Sequence, residues 1–89
     1  MSCSRTIEIT NRRGLHARAS AKFVTLAADL PAKVEVEKDG NKVCGTSIMG
    51  LMMLGAAMGD TITIYCEGEN CVGALDQLSA LVTERFGED

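Results

Sequence analysis

The sequence predicts an α+β fold in the order β-α-β-β-α-β-α, with helices packed on one face of a single sheet. Short segments that alternate between apolar and polar residues recur along it, as half-buried strands require. Stretches with apolar residues at helical spacing separate them. Strands joined by helices within 89 residues leave room for one modest core. No linker, internal repeat or low-complexity segment interrupts the pattern, so one domain over residues 1–89 is expected.

Each element has its own warrant. "TIEIT" (Thr6 to Thr10) places Ile7 and Ile9 on one face and Thr6, Glu8 and Thr10 on the other. From His16 to about Asp29 the chain is alanine-rich, and Phe23, Leu26, Ala27 and Leu30 recur at helical spacing. Pro31 forbids continuation of that helix. "KVEVEK" alternates again, with Val34 and Val36 inward, and the "DGN" turn signal leads into "KVCGT" as a hairpin. "SIMGLMML" is a short helix for which Ser47 is a natural N-cap. After a turn bracketed by Gly55 and Gly59, Ile62, Ile64 and Cys66 of "DTITIYC" face one way. "GEN" then introduces a last helix with Val72, Leu75, Leu78 and Val82 as its apolar stripe.

Composition narrows the function. A hydrophobic fraction of 46% with 24% charged residues is that of a globular chain, and aromatics at 3% leave the packing to aliphatic residues and methionine. No apolar run approaches the roughly 18 residues needed to cross a bilayer. "MSCSRTIEIT" has no hydrophobic segment of signal-peptide type, so a cytoplasmic location is expected. Cys3, Cys44, Cys66 and Cys71 form no C-x-x-C pair, and a lone histidine could join them at a metal. Free, structural thiols are expected, with Cys66 and Cys71 the pair nearest in the chain, and no metal site. A net charge of −3 argues against a general nucleic-acid binder. The basic residues Arg12, Arg13, Arg18 and Lys22 nevertheless gather without an acidic neighbour between them, a pattern suited to a local anionic ligand or an acidic partner surface.

That basic corner surrounds the chain's one histidine, in "NRRGLHARAS" (Asn11 to Ser20). His16 stands where the first strand has ended and the first helix begins, and Gly14 lets the chain turn sharply before it. A helix start presents backbone N–H groups without intrahelical partners and the positive end of the macrodipole, so an anion there is stabilised twice. Arg18 adds a planar fork of donors suited to phosphate or carboxylate. Imidazole can act as a nucleophile, and the constellation suits reversible phosphorylation of His16. A histidine in this place is more commonly a cap or a solvent-exposed residue, and nearby arginines are more commonly solubilising. No second imidazole, metal cluster or G-x-x-x-x-G-K-[ST] loop accompanies it. The residues alone reach as far as an anion site with a nucleophile.

"GLHARAS" (Gly14 to Ser20) resembles the active-site segment of HPr, the histidine-containing phosphocarrier family of the phosphoenolpyruvate-dependent phosphotransferase system. "SIMGLMML" (Ser47 to Leu54) resembles that family's regulatory segment. The spacing of the two, the length and the element order match as well, so the resemblance spans nearly the whole chain. It implies an open-faced β-sandwich: a four-stranded antiparallel sheet with three helices on one face. It implies that His16 accepts a phosphoryl group on Nδ1 from phosphorylated Enzyme I and passes it to an enzyme IIA-type acceptor. Arg18 and the backbone of Ala17 and Arg18 would hold the phosphoryl group, and no cofactor is needed. Ser47 matches the serine that HPr kinase/phosphorylase modifies in part of the family. Ala17, Ala21 and Thr25, together with Ile48, Met49 and Met52 of the methionine-rich helix, would meet partners. A monomer is expected. Such a carrier needs its histidine exposed, and it is a phosphoryl carrier rather than a self-sufficient enzyme.

One position departs from the family pattern. Where the family has proline after the active-site arginine, this chain has Ala19. Proline suits a helix's first turn; alanine keeps the helix and restores a donor. The change weakens a sugar-uptake role and is compatible with the regulatory, nitrogen-type branch of the system. The competing reading is a non-catalytic regulatory module of the same fold, which predicts that replacing His16 leaves function intact. A metal-chaperone domain of similar element order would want C-x-x-C where this chain has "RRGLHAR".

Overall fold

The computed structural model describes residues 1–88. Its elements are β1 (Ser2–Glu8), α1 (Ala17–Asp29), β2 (Lys33–Lys38), β3 (Asn41–Cys44), α2 (Ile48–Met53), β4 (Thr61–Glu67) and α3 (Cys71–Thr83), followed by a 3-10 turn over Arg85–Gly87. The strands form one antiparallel sheet in the order β1-β4-β2-β3. Alternation decides what each face carries. Val34 and Val36 of β2 and Ile62, Ile64 and Cys66 of β4 are buried in the same cluster as Phe23 of α1, Leu51 of α2 and Leu75, Leu78 and Val82 of α3. The residues between them on the strands make the open face. There the Tyr65 hydroxyl donates to Glu37 Oε1 at 2.6 Å, and the Lys42 ammonium sits 4.0 Å from the centre of the Tyr65 ring. The predicted open-faced α+β arrangement, with its four antiparallel strands and three helices, is the observed one.

The β2–β3 hairpin turns where "DGN" places it. Asp39 and Gly40 both have positive φ, 51° and 84°, as a two-residue type I′ turn requires. Ser47 caps α2 as its position predicts, its hydroxyl accepting from the Gly50 N–H at 3.0 Å. Leu51 and Leu54 point inward, and Ile48, Met49 and Met52 are left on the surface.

Two elements differ from expectation. β1 starts at Ser2 and ends at Glu8, four residues earlier than the alternation of "TIEIT" marks its start. Its first half carries little apolar signal because Arg5 occupies a helix-facing position, reaching Asp76 of α3 at 2.8 Å. Pairing rather than hydropathy defines the strand: every residue from Ser2 to Glu8 has a partner on β4. Ile9 leaves the ladder but is fully buried, donating its N–H to the Asp60 carbonyl at 2.8 Å. On α3, Val72 is 54% exposed, and the stripe that faces the core is Cys71, Ala74, Leu75, Leu78, Ser79 and Val82. Leu75, Leu78 and Val82 belong to it. Val72 lies about 100° around the helix from Cys71, on the far side of the stripe's edge.

Candidate functional site

The site is built from three chain segments that are far apart in sequence. The β1–α1 loop is stitched to the segment before β4. Leu15 donates its N–H to the Ala56 carbonyl at 2.9 Å, and the Gly59 N–H reaches the Ile9 carbonyl at 2.8 Å. This close approach dictates the glycine at position 14. Its φ is +62°, and a Cβ there would lie 2.2 Å from the Ala56 carbonyl oxygen and 2.9 Å from the Ala57 Cα. Only glycine fits on both counts.

His16 follows as the N-cap residue of α1, with extended backbone (φ −73°, ψ 178°) and a carbonyl that accepts the Ser20 N–H at 2.9 Å. Its side chain makes no capping bond, and no acidic residue lies in the first turn of α1. The imidazole is therefore not spent on capping, and that helix start keeps its positive end. The ring is not an exposed one either: the side chain is 13% exposed. The exposed histidine that the carrier reading anticipated is corrected here to a largely covered one, because Nε2 of His16 is paired with Oε2 of Glu88.

Glu88 arrives from the segment after α3. Its other oxygen, Oε1, accepts from Asn11 Nδ2 at 3.0 Å, and the same amide nitrogen donates to the Gly14 carbonyl at 2.9 Å. Asn11 is itself buried. The Asn11 hydrogen bond, together with the His16 contact and the Arg13 charge, lowers the Glu88 pKa below its ordinary 4.5 against the opposing cost of burial. Lys22 of α1 fixes the approach of this segment, donating to the Phe86 carbonyl at 2.6 Å.

The remaining sequence-predicted residues divide by location. Arg18 is exposed on the first turn of α1 and lines a shallow groove with Ala21, Lys22, Thr25, Leu26 and Leu81. Ala17 and Thr25 are exposed and Ala21 is half-buried. Ala19, where the family has proline, is fully buried and belongs to the core. α2 packs against α1, so Ile48, Met49 and Met52 lie on the helix beside those α1 residues. Met49 is 67% exposed, and Met53, which the sequence reading did not single out, is more so. Ser47 is half-buried at the start of α2, with its hydroxyl engaged in the cap.

Sequence reasoning missed Asn11 and Glu88. Asn11 stands at the head of the quoted motif, but nothing in its neighbours marks it as buried. Glu88 lies 72 positions from His16, and no local pattern connects them. The four cysteines are free thiols. Interaction with the Cys71 thiol, together with burial, pushes Cys3 up to about 11. Among the described residues no group of three or more His, Cys, Asp or Glu side chains could hold a metal ion. No helix among them is long and apolar enough to cross a membrane.

Comparison with known proteins bears directly on this site. Residues 3–84 match the family model for the phosphotransferase-system HPr component phosphorylation site. The chain is 45% identical over 84 residues to phosphocarrier protein HPr of Cupriavidus necator, covering 94% of each. It is 39% identical to phosphocarrier protein NPr of Shewanella violacea, covering 94% of this chain and 92% of that one. The crystal structure of HPr-C-His from Thermoanaerobacter tengcongensis superposes with a TM-score of 0.92 at 41% identity, covering 98% of both chains. With its sheet order, its histidine at an uncapped helix start and these matches along nearly its whole length, the chain belongs to the HPr family of phosphotransferase-system phosphocarriers.

Proposed function

We propose that His16 is the residue that carries the phosphoryl group, taking it from phosphorylated Enzyme I and handing it to an enzyme IIA-type acceptor. The observation that supports this most is the state of the α1 start. No side chain caps it, no carboxylate stands in its first turn, and Arg18 projects from it into solvent. A phosphoryl group bonded to His16 would meet the N–H groups of Ala17 and Arg18, the positive end of the helix and the Arg18 guanidinium. Transfer between two histidines is mostly a matter of placement and charge, which is why so few groups suffice. Because Nε2 faces Glu88, Nδ1 is the nitrogen left to form the bond.

Partners would dock over the neighbouring faces of α1 and α2. Ala17, Ala21 and Thr25 supply a small-residue surface beside Arg18, and Ile48, Met49 and Met52 supply adaptable apolar contacts. Ser47 is the place for control by HPr kinase/phosphorylase. A phosphate there would sit at the start of α2, beside the apolar contact patch, and would set a negative charge in the docking surface. Residues 1–89 act as one domain in this scheme.

The test is intact mass after incubation with Enzyme I, phosphoenolpyruvate and magnesium, with His16→Ala alongside. One acid-labile phosphate on the wild type and none on the variant is expected. An active Enzyme I that leaves the wild type unmodified would overturn the reading in favour of a binding module.

A further inference from the structure

Three of the four thiols gather at the end of β1 remote from the His16 loop. Cys3 faces Cys66 across β1 and β4, both on the helix side of the sheet, and Cys71 begins α3 there. Cys66 and Cys71 are 1% and 0% exposed, whereas Cys3 keeps partial access to solvent. Backbone geometry decides which sulfurs can join. The Gly68 N–H reaches the Met1 carbonyl and the Ile9 N–H reaches the Asp60 carbonyl, each at 2.8 Å. The odd-numbered residues of β1 are therefore the directly hydrogen-bonded partners of β4, Cys3 and Cys66 among them. Side chains in such pairs stand further apart than in the alternate kind, which disfavours a bond between Cys3 and Cys66. Toward the helix the register differs. α3 returns antiparallel to β4 after a short loop, hence parallel to β1, and Arg5 of β1 reaches Asp76 of α3 at 2.8 Å. Cys3 stands two strand residues before Arg5, about 6.7 Å back. Cys71 stands five helix residues before Asp76, about 7.5 Å back. The two cysteines come level with one another, and the Cys71 thiol is the largest influence on that of Cys3.

We propose that Cys3 and Cys71 are a disulfide-forming pair, an oxidation site at which a small disulfide of the glutathione class fastens β1 to α3. The Cys3 thiolate attacks one sulfur of the small disulfide. A new S–S bond forms as the old one breaks, and one small thiolate leaves. The Cys71 thiolate then attacks the Cys3 sulfur and expels the second. The protein gives up two protons and two electrons, and the small disulfide is reduced to two thiols. Cys3 reacts first because it is the member of the pair that solvent reaches, and Cys71, buried at the first position of α3, resolves the mixed disulfide. Its neighbour and burial hold the Cys3 thiol protonated, so the exchange is slow and follows a sustained oxidising condition. β1 is what the bond secures. It is an edge strand with only Cys3 and Ile7 turned partly inward. Cys3 and Cys71 lie near opposite ends of the chain, so the bond closes a long loop and constrains the unfolded state strongly.

Thiols that only fill the core predict no such bond. The test incubates the folded protein with glutathione disulfide and follows intact mass, peptides and thermal unfolding. Cys44 is exposed, and the Thr46 hydroxyl beside it lowers its pKa, so it takes a glutathionyl group of its own. The experiment is therefore run on Cys44→Ser as well as on the wild type. Cleavage after Glu8, Glu67 and Glu69 puts Cys3, Cys66 and Cys71 on separate peptides. In Cys44→Ser the expected results are a loss of two hydrogens in mass, one peptide pair joined through Cys3 and Cys71, and Cys66 left as a thiol. The unfolding midpoint is expected to rise by about 10 °C or more. Cys71→Ser in the same background is expected to stop at one glutathionyl group on Cys3. Survival of all three thiols, a link through Cys66, or a Cys3–Cys71 link that leaves the midpoint unmoved would each overturn the proposal. The peptide map of the wild type decides the pairing even if the serine variants do not fold.

Discussion

Gly14 and Glu88 show what single residues contribute to this site and how differently they can be read. Gly14 is legible: a glycine directly before a helix start, in a basic loop, announces a sharp turn. The structure adds the second reason, the Ala56 carbonyl 2.2 Å from where a Cβ would be. Gly14→Ala is expected to lose about 1–3 kcal/mol of stability from strain at positive φ and displacement of the Ala56–Ala57 backbone. Chemical denaturation would measure it, and an unchanged midpoint would show that the two loops part without cost. Glu88 is illegible, because its partner lies across the fold and only the closed tertiary structure brings the two together. Its lowered pKa carries a consequence for acid stability. A carboxylate whose folded pKa lies below the unfolded 4.5 stabilises the fold fully above that pH and loses the contribution as pH falls through the folded value. The stability difference between wild type and Glu88→Gln should therefore narrow as the pH falls below about 4.5. A difference that persists unchanged into strong acid would mean the carboxylate's charge is irrelevant to the contact.

Among the elements, legibility follows the strength of the periodic signal. β2, β4 and α1 alternate or repeat cleanly, and the structure has them where the sequence implies. α2 is a stronger case: eight residues sufficed to predict which leucines turn inward and which methionines do not, because a two-turn helix has only one face to bury. The start of β1 is not legible, because Ser2, Ser4 and Arg5 give a polar strand whose register comes from β4 and whose arginine pairs with α3. On α3 Val72 is apolar but stands at the wrong angle for the stripe. The core there includes Ser79 and two small or sulfur-bearing residues, Ala74 and Cys71, that a search for large aliphatic side chains passes over. The observed stripe makes a contrast to test. Leu78→Ala is expected to cost about 2–5 kcal/mol, as truncation of a fully buried leucine does, and Val72→Ala less than about 0.5 kcal/mol. Comparable losses at the two positions, seen in thermal or urea unfolding, would mean that α3 is rotated from the orientation described.

Taken whole, the molecule gathers its chemistry at one end of a sheet-and-helix sandwich. The β1–α1 loop supplies Asn11, Gly14 and His16, and the first turn of α1 supplies Arg18. The segment before β4 supplies the carbonyl that pins the loop, and the turn after α3 supplies Glu88. Two short motifs were enough to place the family, but the way the ring is held was not in either of them. In this scheme the chain is an intermediate station for a phosphoryl group at His16. The most direct measurement follows label from phosphoenolpyruvate through Enzyme I to an enzyme IIA-type acceptor, with wild type, His16→Ala or no added chain. Label is expected on the acceptor only with wild type, passing through an acid-labile species on this chain. Label that reaches the acceptor equally well with His16→Ala, or that enters the wild type and never leaves it, would rule out His16 as that station.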